Sequence, residues 1–422
     1  MIDRTPPARS VLEVLYAFLR LGCLSFGGPI AHLGYFHTEF VERRQWCDEA
    51  TFAEIVAIAQ SMPGPASSQT GFALGLLRAG WRGGVAAWVG FTMPSALLML
   101  AFALGLQLFT GRMGVGIVHG LQLVAVAIVA QAIVSMRKAL APDAFRTVIA
   151  LVAAAIAFFA PPSSGTLLAI VAGAMLGWFL PRSRPSAGGQ HPPTVGEFGA
   201  GSHSPELRFG LPKLAGILAA AAFFALLLVL PLVAGIVSSQ AHGVTSQCLS
   251  VFNAFYRTGA LVFGGGHVVL PLLENAVVAR GWIDQPGFLS GYGAAQALPG
   301  PLFAFSAYLG AVIRPTFNPV ALSAIALIAI FLPGVLVMVA VLPFWNELRR
   351  QRLIQASLRG VNAAVVGVLV AAFIRPVCSS AVHSALDIVL ALAAFTLLMR
   401  WKISPWIVVF AVASVSAIAA VL

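Results

Sequence analysis

The stretch FLRLGCLSFGGP (residues 18–29) recurs later in the chain as FYRTGALVFGGG (255–266). Matched positions of the two copies share phenylalanines, an arginine and glycines. A second motif follows each copy, AQSMPGP (59–65) and then AQALPGP (295–301). Polar residues and a Pro-Gly-Pro triplet recur in the same order at a nearly constant offset, which chance similarity between apolar helices does not explain. The chain therefore contains two diverged copies of one unit.

The composition predicts a membrane protein. Of the 422 residues, 59% are hydrophobic and 9% are charged, whereas a soluble domain carries about 25% charged residues. So few charges cannot cover a water-facing surface, and we predict an all-α, multi-pass protein with the lipid bilayer as its solvent. The net charge of +11 is explained by Lys and Arg in cytoplasmic loops and does not require a nucleic-acid partner.

Hydropathy divides the chain into a first repeat (1–180), a polar linker with a connecting transmembrane helix (181–248) and a second repeat (249–422). Several apolar segments are shorter than the ~20 residues of a straight span, so we expect broken or re-entrant helices in two six-element halves. The polar part of the linker, 181–210, predicts a flexible loop. The segments lie near 12–35, 51–77, 83–109, 114–136, 147–160 and 165–180, then 211–237, then 249–272, 287–312, 319–343, 357–374, 385–399 and 403–422.

Loop charges indicate that the two repeats have opposite orientations. In the first repeat a basic pair, Arg137 and Lys138, follows the fourth segment. In the second repeat the basic cluster of Arg349, Arg350 and Arg352 follows the third segment instead. Cytoplasmic loops are enriched in Lys and Arg, so equivalent loops face opposite compartments. This pattern predicts an inverted-topology repeat joined by the extra helix near 211–237.

The Pro-Gly-Pro triplets break helices, because proline removes a backbone donor and disfavours helix in the residue before it. The half-helix that follows presents free N–H groups and its positive dipole end, which suits an oxyanion. Ser67 and Ser68 follow the first triplet, whereas Phe303 and Phe305 follow the second, so we expect the first to suit a polar ligand better. A hinge without ligand contact is the alternative. The predicted binding residues at the breaks are Gly27, Gly28, Pro63, Gly64, Pro65, Ser67, Ser68, Gly264, Gly265, Pro299, Gly300 and Pro301.

Arg20 and Arg257 each lie in an apolar run just before a Gly-Gly pair. A cation at membrane depth is costly unless it faces a cavity or a partner, and a guanidinium binds tetrahedral oxyanions through paired hydrogen bonds. We therefore predict that both arginines bind substrate; the alternative is that they reach lipid headgroups. Gln60 and Gln296 precede the triplets and are predicted to donate to the same ligand, with hydrogen bonding between helices as the alternative.

Carboxylates are scarce in the apolar segments. A proton-coupled transporter needs one that can bind and release a proton inside the membrane. Glu54 and Glu274 are the predicted proton-coupling residues, and each could instead neutralise an arginine. Three histidines near the motifs, His32, His119 and His267, are weaker candidates.

These motifs resemble the chromate transporter family in its long, two-domain form. The likeness rests on FLRLGCLSFGGPIAHLGYFHTEFVERRQW with AQSMPGP, and on FGGGHVVLPLLENAVVARGW with AQALPGP, and covers nearly the whole chain. The second copy departs only in having Gly266 where the first has Pro29. The resemblance implies a prokaryotic inner-membrane protein that exports chromate and confers chromate resistance, with sulfate as a competing ligand and halves of opposite orientation.

The sequence thus supports a secondary active transporter for chromate, with exchange against protons as a plausible coupling. Uptake or exchange of sulfate or another oxyanion is the alternative, followed by an anion channel. An enzyme is not expected, because the chain has no nucleophile elbow, metal-spacing motif or phosphate loop, and no cofactor is implied. The four cysteines are far apart and indicate neither a metal site nor a disulfide framework. The oligomeric state, a homodimer included, stays open.

Overall fold

The computed structural model of the protein describes residues 8–106, 111–179, 209–240, 243–263, 269–315, 317–348 and 351–421. Within these ranges every regular element is a helix, which confirms the all-α prediction. The loop prediction for 181–208 and the predicted roles of Gly264, Gly265, Arg349 and Arg350 fall outside the described residues.

The first repeat has two of its predicted segments broken into shorter helices. The chain leaves helix between α1 and α2, and the Pro-Gly-Pro triplet separates α3 from α4. These breaks fall inside the predicted segments 12–35 and 51–77, so six apolar segments give the observed helices. The helices of this half are α1 (Ala8–Leu24), α2 (Gly28–His37), α3 (Glu49–Ser61), α4 (Ala66–Gly105), α5 (Gly111–Leu140), α6 (Ala144–Phe159) and α7 (Pro162–Gly177).

The second repeat has the same plan and follows two connecting helices, α8 (Lys213–Leu228) and α9 (Leu230–Gln240). Its two breaks lie between α10 and α11 and between α12 and α13. Its helices are α10 (Val244–Leu261), α11 (Val269–Val277), α12 (Gln285–Ala297), α13 (Phe305–Val312), α14 (Pro319–Val341), α15 (Trp345–Leu348), α16 (Arg352–Ala372), α17 (Ser379–Ala381), α18 (Ala385–Met399) and α19 (Pro405–Val421).

Helix α4 is a hairpin of two helices. At its bend Ala79 (φ −141°, ψ 26°) and Gly80 (φ 60°, ψ −155°) leave helical geometry. The two arms touch through glycine: a Cβ added to Gly75 would lie 2.3 Å from the carbonyl oxygen of Gly83. The arms correspond to α13 and α14 of the second repeat, where a loop takes the place of the bend.

The halves pack against each other reciprocally. Helix α5 packs on α19 of the other half, where a Cβ on Gly120 would lie 2.6 Å from the Cα of Ala413. Helix α16, the equivalent of α5, packs on α7, where a Cβ on Gly360 would lie 2.1 Å from the carbonyl oxygen of Gly173. Small residues at such crossings are typical of membrane helices. A two-fold relation between the halves produces such exchanged contacts, and the two-half repeat is thereby confirmed. The inverted orientation stays a prediction from the loop charges.

A π-helical turn accommodates a one-residue difference between the repeats. It spans Thr38–Arg43, where Trp46 is one residue further from its Gly-Gly pair than Trp282 is from the equivalent pair. A π-turn takes up a single inserted residue without ending the helix. A second π-helical stretch, Phe373–Cys378, contains a kink, because Arg375 leaves helical geometry there (φ −136°, ψ 120°).

In the described ranges, five helical stretches are long and apolar enough to cross a membrane. One of them, Lys213–Val237, runs through α8 into α9 and is called here the connecting helix. The remaining apolar helices are shorter, at 10–17 residues, as expected for broken spans. The five are Ala66–Gly105, Gly111–Leu140, Lys213–Val237, Pro319–Phe344 and Leu353–Ala381.

Asp387, at the start of α18, ties the two halves together. Its Oδ1 lies 2.8 Å from Nε2 of His119 on α5. Its Oδ2 accepts the backbone N–H groups of His383 and Ser384, both at 2.9 Å, and Ser384 caps the helix in return. Because Asp387 is 5% exposed, its removal leaves these donors without an acceptor.

Replacing Asp387 with alanine (Asp387→Ala) is therefore expected to lower the free energy of unfolding by about 2–3 kcal/mol. Thermal unfolding in detergent micelles measures the loss. Asp143→Ala is the control, because Asp143 also accepts a backbone N–H at a helix start, that of Arg146 at 2.8 Å, within one half. Losing a cap alone costs about 1 kcal/mol. Equal losses in the two variants would contradict a role for Asp387 between the halves.

Candidate functional site

Backbone hydrogen bonds join the helix breaks of one half to the helix breaks of the other. The N–H of Gly64, in the first Pro-Gly-Pro turn, donates to the carbonyl oxygen of Val262 at the end of α10, at 2.7 Å. The N–H of Gly300, in the second turn, donates to the carbonyl oxygen of Ser25 at the end of α1, at 2.9 Å. The four residues occupy equivalent positions in the repeats. Each turn is therefore held by the chain that precedes the other half's Gly-Gly pair.

A second reciprocal contact encloses each turn. A Cβ on Gly64 would lie 2.9 Å from the Cα of Gly334, and a Cβ on Gly300 would lie 2.7 Å from Oγ of Ser95. Gly334 and Ser95 each follow the proline inside a long helix, at matched positions of α14 and α4. Both turn glycines have positive φ, 121° for Gly64 and 95° for Gly300, so no larger residue fits either place.

Polar side chains at the start of α4 are buried beside the first turn. Ser67, Ser68, Gln69 and Thr70 are all at most 5% exposed. Nε2 of Gln69 donates to the carbonyl oxygens of Pro63 (2.8 Å) and Gly334 (3.2 Å). Among the described residues, the Oγ of Ser68 and Oγ1 of Thr70 have no hydrogen-bond partner, and Pro65 gives α4 no side-chain cap. Buried polar groups are rarely left unpaired, so this cluster is suited to a polar ligand.

A narrow cleft adjoins this cluster. Trp88 lines it, and the buried Nε1 of Trp88 has no hydrogen-bond partner in the part of the chain that the structure describes. The Trp88 ring meets Phe331 edge-on at 5.7 Å. The cleft has room for about one water molecule, so a tetrahedral oxyanion enters only when the surrounding helices move. The residues that line the cleft are Pro65, Ser68, Gln69, Trp88, Phe331, Gly334 and Val335.

His32 connects three of these parts. It is 1% exposed, and its Nε2 lies 3.2 Å from the carbonyl oxygen of Ser25, the atom that also receives the N–H of Gly300. Its Nδ1 lies 3.5 Å from Oγ of Ser67. Gly27 and Gly28, between α1 and α2, have φ of 101° and 80° and allow the chain to turn here. His32 therefore positions the first Gly-Gly break against the start of α4.

The second turn is less polar. A short 3₁₀ turn, Leu302–Ala304, replaces the start of α4, and Oγ of Ser306 donates to the carbonyl oxygen of Phe303. The side-chain amide of Gln296 lies beside the hydroxyl of Tyr292. Gln60, its counterpart, is half-buried. The two turns are equivalent in backbone position and different in the groups they offer a ligand.

The predicted arginines do not line this cleft. Arg20 lies on the exposed face of α1, beside Tyr16 (67% exposed) and Leu24 (54% exposed). Arg257, its counterpart on α10, is half-buried, because the connecting helix covers this part of α10 through Tyr256, whose hydroxyl donates to the carbonyl oxygen of Phe223 at 3.0 Å. The structure therefore places the two arginines in different surroundings, and their binding role stays a prediction.

The predicted proton-coupling residues also differ. Glu54 is half-buried on α3 and accepts the indole N–H of Trp345 from the second half at 2.9 Å. Glu274 on α11 is 7% exposed and lies beside Gln285. Glu274 forms no ion pair with a basic side chain in the described ranges. The proton-coupling role of both residues stays a prediction.

Comparison with known proteins agrees with the repeat. A family model described as the chromate transporter matches residues 12–178 and 249–417, which are the two repeats. The chain belongs to the chromate transporter family. This confirms the resemblance drawn from the motifs and makes the protein a member of a membrane transporter family.

Curated relatives match over most of this family member. A chromate transport protein of Pseudomonas aeruginosa is 28% identical over 378 residues, covering 87% of this chain and 81% of the relative. One from Cupriavidus metallidurans is 28% identical over 404 residues, covering 94% and 90%. An uncharacterised transporter of Methanocaldococcus jannaschii is 23% identical over 371 residues. No solved structure matches the chain.

Sequence reasoning placed the breaks of this family member correctly and missed Trp88. The indole N–H of a tryptophan in a membrane helix needs a partner, and the repeat puts an apolar Leu327 at the matched position of α14. That difference between the copies was the available signal. The roles of Gly334 and Ser95 could not be predicted from either repeat alone, because each of these residues contacts a turn that belongs to the other half.

Proposed function

We propose that this chromate transporter family member is a secondary active transporter that exports chromate across the bacterial inner membrane in exchange for protons, and thereby confers chromate resistance. The observation that carries the proposal is the cleft at the interlocked breaks, where the buried donors of Ser68 and Trp88 lack partners among the described residues. The proposal applies equally to a monomer and to a homodimer, because the interlocked breaks lie within one chain.

The donor set fits a tetrahedral oxyanion. The hydroxyl of Ser68 and the indole N–H of Trp88 supply hydrogen bonds without a competing charge, and the start of α4 adds its dipole. A dianion that loses its hydration requires several such donors together. The inside-negative membrane potential favours its export by ~2.3 kcal/mol per charge per 100 mV. The membrane potential therefore adds to the driving force that proton exchange supplies for the export of a dianion.

The closed cleft favours a carrier over a channel. A channel needs a continuous polar path, whereas this cleft admits about one water molecule. Reciprocal contacts between inverted halves suit alternating access, in which one half moves against the other around a fixed site.

Sulfate uptake or exchange is the second candidate, because sulfate has the same shape and charge as chromate. The cleft does not distinguish the two ions. The names of the Pseudomonas and Cupriavidus relatives favour chromate.

Flux into everted vesicles tests the proposal. Vesicles with the protein are expected to accumulate labelled chromate saturably, and faster with an imposed pH gradient than without it. Sulfate flux without chromate flux would refute chromate export and support sulfate transport, the second candidate. Flux that does not saturate and ignores the gradient would indicate a channel.

Removing the cleft donors is expected to weaken substrate binding. Trp88→Phe keeps the ring contact with Phe331 and removes only the N–H, and Ser68→Ala removes one hydroxyl. Because a hydrogen bond to a charged group contributes about 1.5–3 kcal/mol, each change is expected to raise KM by roughly 10- to 100-fold. The measurement is the concentration dependence of chromate flux in proteoliposomes.

Trp178→Phe is the matched control for the tryptophan change, since the N–H of Trp178 donates to Ser357 at an exposed position. It is expected to leave KM unchanged. A normal KM in both Trp88→Phe and Ser68→Ala would show that the cleft does not bind the transported anion.

A further inference from the structure

His37, at the end of α2, lies between two carboxylates. Its Nδ1 is 3.1 Å from Oε1 of Glu42 in the π-turn, and its Nε2 is 2.5 Å from Oε2 of Glu49, the first residue of α3. The ring also meets Phe52 of α3 edge-on, with the ring centroids 5.4 Å apart. The His37 side chain is 29% exposed, so it is held in place and still reached by water. His37, Glu42 and Glu49 are called here the His37 bridge.

The geometry of the His37 bridge is that of a protonated histidine. A neutral imidazole donates from one ring nitrogen and accepts at the other, whereas an ionised carboxylate only accepts. A neutral ring would therefore direct a lone pair at one of the two carboxylates. An imidazolium donates from both nitrogens and satisfies both contacts. The bridge is complete only while His37 carries its second proton.

The basic side chains around the His37 bridge are engaged elsewhere. In the described ranges, neither carboxylate of the bridge has a basic partner other than the histidine. Arg43 and Arg44 of the π-turn bond Glu39, at 3.2 Å and 2.6 Å. Helix α4, which also packs on α2, directs Arg78 to Glu13 at 3.1 Å. The proton on His37 is thus the cation that the two carboxylates share.

The surroundings of His37 favour its charged form. Asp48, the neighbouring acid on α3, accepts the N–H of Thr51 at 2.8 Å, so the carboxylates that face the ring are Glu42 and Glu49. The hydrogen bond to Glu49, followed by the charges of Glu49 and Glu42, raises the pKa of His37 above its ordinary value of 6.5, and burial opposes them. The bridge is therefore complete below pH 6.5 and is lost as the pH rises through the raised pKa of His37.

The His37 bridge joins the far ends of two short helices whose near ends form the cleft. Helix α2 runs from the first Gly-Gly break to His37, and α3 runs from Glu49 to the first Pro-Gly-Pro turn. Near the break, His32 of α2 lies 3.5 Å from Oγ of Ser67 at the start of α4. The cleft admits an oxyanion only when these helices move, and a bond between their far ends resists that movement.

The second repeat has a titratable group at the same place. The extra residue of the first copy lies in the π-turn after His37, so the repeat alignment puts Glu274 at the position of His37 and Gln285 at the position of Glu49. Glu274 lies beside Gln285. Both copies therefore place a group that binds a proton between the helix after the Gly-Gly break and the helix before the Pro-Gly-Pro turn.

We propose that His37 is a proton-binding residue that controls the opening of the first half. With its second proton bound, it holds α2 and the π-turn on α3 and keeps the cleft closed. When the proton leaves, the two helices separate and the oxyanion enters. This role rests on the proposed function, and it makes the proton and the anion occupy the first half alternately, as exchange requires.

A titration of His37 tests the proton site without any transport measurement. The NMR signal of its ring proton on Cε1 is the one that His37→Gln removes, and it is followed against pH in lipid nanodiscs. The midpoint is expected above 6.5, and Glu42→Gln/Glu49→Gln is expected to lower it, because amides do not stabilise the imidazolium charge. Glu347→Gln, which removes an exposed carboxylate bonded to Lys213, is the control and is expected to leave it unchanged. A midpoint at or below 6.5, or one that the double variant does not lower, would overturn the site.

The effect on opening is measured as exchange of chromate for chromate in proteoliposomes with the same pH on both sides. Below pH 6.5 the unsubstituted protein is expected to exchange roughly threefold more slowly than His37→Gln, and above the midpoint of His37 the two rates are expected to agree. Chromate itself takes up protons in this range, which affects both proteins alike. A ratio of the two rates that does not change with pH would overturn the control of opening by His37.

Two further variants complete the comparison. His383→Gln is the histidine control, because His383 is exposed and its ring contacts the carbonyl oxygen of Ser380; it is expected to keep the pH profile of the unsubstituted protein. Glu42→Gln/Glu49→Gln keeps the histidine and is expected to move the pH-dependent step to lower pH, which a purely structural role of His37 would not do. Absence of chromate and sulfate flux in the unsubstituted protein would refute the proposed function, whereas the NMR titration judges the proton site independently.

Discussion

Gly64→Ala is expected to abolish transport while the protein still inserts into the membrane. The added methyl group would lie 2.9 Å from both Nε2 of Gln69 and the Cα of Gly334. The φ of 121° at Gly64 adds strain of about 1–2 kcal/mol, and overpacking adds about 1–3 kcal/mol. If the turn moves to relieve the strain or the overpacking, it moves away from Val262 in the other half. The hydrogen bond from the N–H of Gly64 to the carbonyl oxygen of Val262, which joins the halves, is then lost.

For the equivalent change in the second turn, Gly300→Ala, a second substitution is expected to restore part of the lost transport. A methyl group on Gly300 meets mainly the side chain of Ser95, with Oγ at 2.7 Å and Cβ at 3.1 Å. Ser95→Gly, which copies Gly334 of the other half, removes both atoms. Gly300→Ala with Ser95→Gly should therefore recover part of the flux that Gly300→Ala loses. Gly64→Ala has no such rescue, because its neighbour is already glycine.

Initial chromate flux in proteoliposomes, corrected for the amount of inserted protein, measures these effects. Gly34→Ala is the control, because no atom lies within 4 Å of an added Cβ there. Flux in Gly64→Ala at the level of Gly34→Ala would show that the interlocked turns are not needed for transport. Failure of Ser95→Gly to rescue Gly300→Ala would indicate that backbone strain, rather than the contact between halves, causes the loss.

The breaks themselves could be predicted because glycine and proline act locally. Gly27, Gly64 and Gly300 all adopt positive φ, as their motifs indicate. The partner of each break could not be predicted, since the bond from Gly64 to Val262 joins residues far apart in the sequence and depends on how the two halves dock. Sequence order shows that two turns exist, and only the packed molecule shows that each is held by the opposite half.

The side chains show a similar division. An arginine in an apolar run indicates a cavity or a partner, yet Arg20 lies on an exposed face while Arg257 is half-buried. The difference comes from the connecting helix, which covers one half and has no counterpart on the other. A duplicated sequence with a single connecting helix cannot reveal in advance which copy it covers. The symmetry of the repeat is therefore a good guide to the backbone and a poor one to burial.

Differences between the copies point to a division of labour. The first repeat supplies the buried donors Ser68 and Trp88 of the cleft, whereas the second supplies the buried Glu274. An inverted repeat places equivalent groups at equal depth from opposite sides. Substituting them in one copy alone makes the two directions of passage unequal, which a vectorial transporter requires.

Glu274→Gln is expected to uncouple transport from the proton gradient. Glu274 is buried, beside Gln285, and without an ion pair in the described ranges. A buried carboxyl group without a cation is stable with a proton bound, because the bare charge is costly there. Glutamine keeps the shape and the hydrogen-bonding capacity but cannot release a proton. Gradient-driven chromate accumulation should therefore be lost, while exchange of chromate for chromate continues.

Glu54→Gln distinguishes between Glu54 and Glu274 as the residue that carries the proton. Glu54 accepts the indole N–H of Trp345, and an amide oxygen accepts that hydrogen bond equally well, so coupling should survive this change. The measurement is the ratio of chromate flux with and without a pH gradient in everted vesicles. This ratio is expected to fall to about one in Glu274→Gln and to stay at the unsubstituted level in Glu54→Gln. A ratio that falls to about one in Glu54→Gln and is unchanged in Glu274→Gln would assign proton coupling to Glu54 instead. The proton would then bind where Glu54 meets Trp345 of the second half.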